Sequence, residues 1–229
     1  MVILILLAFI VTCITVDALI QFGRQKKSIV PAFSKDTESV FNENSISAPK
    51  GLYFDKGHTW AFMEKNGVVK LGIDDFLLRT IGPLNKLLLK LPGEKIQKGE
   101  PALTLIQNGK QLTLNAPISG TVIFRNNQIV DNTSHINTSH LNQGWIYCIE
   151  PSNWQRESQF LFMADKYKEW LKNEFTRLKD FLAHTLQKSN PDIVPVILQD
   201  GGELKDNVLE LLGPEVWEEF QSKFINISK

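Results

Sequence analysis

The sequence predicts an α+β chain in three parts: an N-terminal transmembrane helix, a central β barrel-sandwich of short strands, and a C-terminal helical extension. Three observations predict it. Val2 to Ile20 form an almost unbroken apolar run, close to the roughly 20 residues that cross a bilayer as a helix. Residues 49–153 hold short Leu-, Ile-, Val- and Thr-rich runs separated by turn residues such as Asn108-Gly109 and Gly82-Pro83, the punctuation of hairpins. From Phe160 onward, apolar residues recur at helical spacing.

The first segment contains one ionisable residue, Asp17, near its end, where a carboxylate reaches the membrane interface. No basic residue precedes the run, while Arg24, Lys26 and Lys27 follow it. The positive-inside rule therefore predicts a single-pass anchor over residues 1–22 with the C-terminal domain cytoplasmic. The basic start of a cleaved signal peptide is missing. Residues 23–48 are polar, contain Pro31 and show no period, which reads as a linker.

In residues 49–153, runs 59–63 and 68–71 flank Glu64 to Gly67 and predict a first hairpin. Asp74 is placed to cap a short helix that continues to Thr80 and stops before Gly82-Pro83. Lys86 to Leu91 suits a strand. Ala102 to Gln107 and Lys110 to Asn115 flank Asn108-Gly109, the strongest short-range hairpin signal, because both residues tolerate positive φ. Pro117 stops that ladder, and Thr121 to Phe124 begins another strand.

In residues 154–229, Met163, Tyr167, Trp170, Leu171, Phe175, Leu178, Phe181 and Leu182 predict a long amphipathic helix over 160–186. Asn190-Pro191 ends it. A helix over 203–212 stops at Gly213, and Pro214 starts another with Val216, Trp217, Phe220 and Phe224 on one side. Such apolar faces must be covered, by the β domain or by a partner helix.

Composition limits the function. Lys plus Arg and Asp plus Glu each number 25, so no net field attracts nucleic acid. Cys13 and Cys148 fall in apolar or strand-like runs and read as buried, inert thiols. His135 and His140, five apart, lack a convincing third ligand, which favours a polar loop over a metal site. His58 and Trp60 read as packed structural residues. No nucleophile–base pair or paired carboxylates stand out, so no enzyme activity is expected.

The central region carries, in order, His58-Thr59-Trp60, Glu64, Gly67-Val68-Val69, Leu71-Gly72-Ile73-Asp74-Asp75-Phe76, Leu91-Pro92-Gly93, Lys98-Gly99-Glu100, Ala116 to Gly120, Asn137 and Gly144-Trp145-Ile146. In these motifs and their spacing it resembles the H-protein of the glycine cleavage system. The resemblance implies a lipoyl-domain-like fold, and a carrier whose lysine-linked lipoyl arm shuttles an aminomethyl group between partner enzymes. In that family the lysine sits at a hairpin tip, with six residues between it and an Ala-Pro pair. Counting back from Ala116 puts Gly109 there, and Lys110 lies one place late. A one-residue shift turns a strand side chain to the other face. The acidic residue expected three places before the lysine is Ile106.

The sequence thus predicts a membrane-anchored H-protein-like adaptor that docks an unknown cytoplasmic protein and carries no cofactor, with Lys110 read as a solvated strand lysine. The alternative is a lipoyl carrier of glycine cleavage or a related lipoate-dependent system, modified on Lys110.

Overall fold

Two antiparallel sheets account for the alternating runs of the central region. The computed structural model describes residues 41–137, 144–189 and 204–226, and those from Phe41 onward belong to one compact unit. Its elements are strands β1 (Tyr53–Phe54), β2 (Thr59–Met63) and β3 (Val69–Ile73), helix α1 (Asp75–Ile81), strands β4 (Lys86–Leu89), β5 (Lys95–Ile96), β6 (Pro101–Gln107), β7 (Lys110–Asn115) and β8 (Gly120–Arg125), helix α2 (Asn127–Asp131), strand β9 (Trp145–Pro151), helix α3 (Trp154–Glu157), strand β10 (Phe162–Met163), and helices α4 (Ala164–Ser189) and α5 (Pro214–Phe220). The larger sheet runs β10-β1-β2-β3-β9-β8-β5, and the smaller one β4-β6-β7. Ala61, Val69, Leu71 and Ile149 of the first share one apolar core with Leu105, Leu112 and Leu114 of the second.

Helix α1 joins the sheets to the rest of the chain. Asp74 caps it by accepting the Leu77 amide at 2.8 Å, as the sequence predicts. The last four carbonyls of a helix lack intrahelical partners, and here all four are satisfied. Leu78 O accepts the Gly82 amide, Arg79 O the Asn207 amide at 2.6 Å, Thr80 O the Leu209 amide at 3.0 Å, and Ile81 O the buried Gln107 side chain at 2.7 Å. Two of these donors belong to the C-terminal region, so the end of α1 is completed by chain more than a hundred residues away.

That pairing explains one correction. The helix predicted over 203–212 is not one: residues 206–211 form turns, Leu204 bridges Phe41, and Asn207 takes φ 62. Amides that serve α1 are unavailable for an i to i−4 ladder. A second correction concerns the long helix, which begins at Ala164. Ser158–Phe160 is a 3-10 turn, and Phe162–Met163 pairs with β1 through Phe54↔Phe162 and Tyr53↔Met163. Strand addition satisfies backbone that helical spacing alone assigned to the helix.

From there α4 lays Tyr167, Leu171, Phe175, Leu178 and Leu182 into the same core, with the Tyr167 ring stacked on Phe54 at 3.9 Å. Among the described residues, no helix is long and apolar enough to cross a membrane. The expected anchor at Val2 to Ile20 and the linker before residue 41 lie outside the described residues.

Gly72 marks the closest approach inside the larger sheet. A Cβ there would lie 2.2 Å from Cζ2 of buried Trp60, whose indole donates to Ile73 O at 2.8 Å. Gly72→Ala must displace that ring. Its urea unfolding midpoint should drop by the equivalent of about 3 kcal/mol; an unchanged midpoint would show that the indole moves freely.

Candidate functional site

The tip of the β6–β7 hairpin is where the family resemblance implies a carrier lysine and this chain has Gly109. Asn108 and Gly109 take φ 48 and 82, the paired positive values of a type I′ turn. The tip is tethered, because the Asn108 amide donates to Asn85 Oδ1 at 2.6 Å. Both tip residues are exposed, and a Cβ built on Gly109 meets nothing within 4 Å.

Lys110 is not the solvated strand lysine expected. It pairs with Gln107 across the turn and shares the buried side of β7 with Leu112 and Leu114, as a one-residue register shift requires. The residue is 9% exposed. Its ammonium donates to the carbonyls of Glu210 at 2.7 Å, Leu212 at 3.1 Å and Leu209 at 3.3 Å, and lies 4.9 Å from the centre of the Trp217 ring. All three hydrogens of the ammonium find acceptors. Burial lowers the amine pKa, against the nearby charge of Glu210, which raises it. The Trp217 indole also donates to Leu209 O at 2.8 Å, so one turn is gripped from two sides.

Three residues farther along the strand, the outer edge of β7 is occupied as well. The Gln221 side chain accepts the Thr113 amide at 2.7 Å and donates to the Thr113 carbonyl at 2.9 Å. A side-chain amide here makes the pair of bonds that a neighbouring strand would make.

A second cluster is buried beneath α4. His58, at φ 62 and fully buried, lies with Nδ1 2.9 Å from Asp74 Oδ2 and Nε2 3.6 Å from Glu174 Oε1. Tyr167 donates to the same Asp74 oxygen at 2.7 Å, and Arg177 donates to Glu174 at 2.6 and 2.9 Å. The imidazole stacks on Phe76. Burial acts to lower the His58 pKa, but the two carboxylates outweigh it and hold the ring at about 9. Burial and the same carboxylates push the Tyr167 hydroxyl well up. His58 and Glu174 are at 0% exposure, and the cluster holds α4 on the sheet as the structural reading of His58 expects.

The family model for the glycine cleavage H-protein matches residues 52–174, more than half of the chain. The chain belongs to the glycine cleavage H-protein family. A probable glycine cleavage system H protein of Pyrococcus abyssi is 34% identical over 125 residues, covering 54% of this chain and 92% of that protein. Glycine cleavage system H protein 2 of Aquifex aeolicus is 31% identical over 143 residues, covering 60% and 88%. A crystal structure of a glycine cleavage system H protein from Mycobacterium marinum aligns with 26% identity over 45% of this chain and 86% of that one, at a TM-score of 0.43.

The H-protein match ends at Glu174, whereas the contacts on Lys110 and Thr113 come from beyond it. The described segments outside the match join one another through aromatic rings: Phe41 packs on Phe175, and Phe181 on Phe220 and Phe224. They are also tied to α1, where Arg79 bonds Asp206 at 2.6 and 3.1 Å and Ser45 Oγ at 2.7 Å. Among the described residues, no group of three or more His, Cys, Asp or Glu residues can hold a metal ion. His135 is exposed, and His140 lies outside the described residues. Cys148 is buried, and burial raises its thiol pKa.

Sequence reasoning missed Glu174 as a partner of His58 and Tyr167 as a partner of Asp74. The available signal was Glu174 on the apolar stripe of α4, since a carboxylate at a core position demands a buried partner.

A raised folded-state pKa makes the His58 contribution a pH-dependent one. Below the ordinary value of 6.5 both states are protonated and the contribution is full. Between 6.5 and 9 the unfolded chain releases a proton that the folded chain keeps, so stability falls with rising pH. Urea unfolding should lose roughly 3 kcal/mol across that window; a flat profile would mean that His58 is buried neutral.

Proposed function

We propose that this H-protein family member is a docking module built on the carrier fold, not a lipoyl carrier. One observation carries the reading: at the hairpin where the family resemblance places an acyl-bearing lysine, the tip holds Gly109, and the neighbouring Lys110 amine is enclosed by three backbone carbonyls. Attachment of lipoate needs a free, deprotonated amine that a ligase can reach. A swinging arm must also project from the domain, and Lys110 points into it.

In this reading residues 2–20 anchor the chain in a membrane, residues 41–226 lie on the cytoplasmic side, and the domain holds a protein partner there. The apolar run and the basic residues after it support the anchor. No step of chemistry is assigned to the chain itself. The second reading, a lipoyl carrier modified on Lys110, is favoured by the relatives, which are named as glycine cleavage system H proteins.

Intact-mass measurement separates the two. Protein from the native host, or co-produced with a lipoate ligase and lipoate, should carry no lipoyl group, whereas Gly109→Lys, whose side chain would leave an exposed and unobstructed tip, should acquire one. Its backbone penalty at positive φ is about 1 kcal/mol. A lipoyl adduct on wild-type Lys110 would sink the docking-module reading.

A further inference from the structure

We propose that residues 204–226 are a strap latched on the β6–β7 hairpin by the charged Lys110 amine, and that loss of this charge opens the strap and uncovers the outer edge of β7. The inference rests on the unmodified Lys110 of the proposed function.

Three features distinguish a latch from ordinary core packing. First, the strap is bound at its turn by polar contacts that a single side chain makes at once, since the Lys110 ammonium holds the carbonyls of Leu209, Glu210 and Leu212. Removing the amine takes this donor from the Glu210 and Leu212 carbonyls, while Leu209 O keeps the Trp217 indole, and a buried group left unsatisfied costs more than a typical hydrogen bond gains. Second, the contacts that follow are aligned along one strand: Lys110 begins β7, and Gln221 pairs with the backbone of Thr113 three residues on. Strap and edge therefore separate together. Third, β7 is the terminal strand of its sheet, so opening exposes unpaired backbone of the kind that accepts an added strand.

The apolar side of the strap, with Trp217 and Phe220 buried, sets its resting state closed. Lys110 acts with the Asn207 and Leu209 amides bound to the end of α1 to hold the turn before α5 in the shape that lets those rings seat. The device converts the charge of one amine into exposure of one sheet edge.

Hydrogen exchange read by mass spectrometry on the full chain, checked by mass to be free of acyl groups, tests this independently of whether the native protein is lipoylated. Lys110→Gln removes the charge and keeps a polar side chain. Strap amides such as Leu209 and Leu212, together with Thr113, should exchange about tenfold faster or more, while β2, β3 and β9 keep wild-type protection. Gln221→Ala, a milder change, should speed exchange at Thr113 without touching those strands. Wild-type protection of the strap in Lys110→Gln would overturn the proposal. So would uniform loss of protection or failure to fold, since either would make Lys110 part of an indivisible core.

Discussion

An ammonium group cannot be taken out of water unless its three donors are met, and in this protein that constraint governs how the 209–212 turn meets the β6–β7 hairpin. Lys110 sits on the inward row of β7 because the hairpin turn fixes its register. Once there, the amine has to be solvated by protein. The turn at 209–212 supplies the carbonyls, and it stands in place because the Asn207 and Leu209 amides complete the end of α1. Helix α1 in turn is started by Asp74, the carboxylate that also holds His58 and Tyr167. A chain of obligatory hydrogen bonds thus runs from α4 through α1 to the hairpin.

The two polar clusters solve the same problem in different ways. Around His58, opposite charges compensate burial and raise the ring's pKa to about 9. Around Lys110, neutral carbonyls and the face of Trp217 compensate it, and burial lowers the amine's pKa. A buried charge held by carbonyls and a ring face, with no carboxylate bonded to it, is the less secure of the two. That difference is why the hairpin contact behaves as a latch and the His58 cluster as a fixed joint.

Much of this was legible in the sequence. The Asn108-Gly109 turn, the Asp74 cap, the first hairpin and the helix opened by Pro214 follow from local rules and stand where those rules put them. The family resemblance is carried by motifs now matched over residues 52–174. What was not legible depends on backbone acceptors, which have no residue type. Nothing in Leu209, Glu210 or Leu212 as letters announces that their carbonyls will hold a lysine a hundred positions earlier. The Gln221 side chain pairing with Thr113 and the two-residue strand β10 are hidden for the same reason. Glu174 was the exception: its place on an apolar stripe was a readable sign of a buried partner.

The central claim is that the Lys110 amine is enclosed in the folded protein. Competitive labelling of the native chain with a small amine-reactive reagent, quantified lysine by lysine by mass spectrometry, tests it most directly. Lys110 should react about tenfold or more slowly than exposed Lys65, and the difference should vanish in denaturant. Equal rates in the native protein would contradict the account.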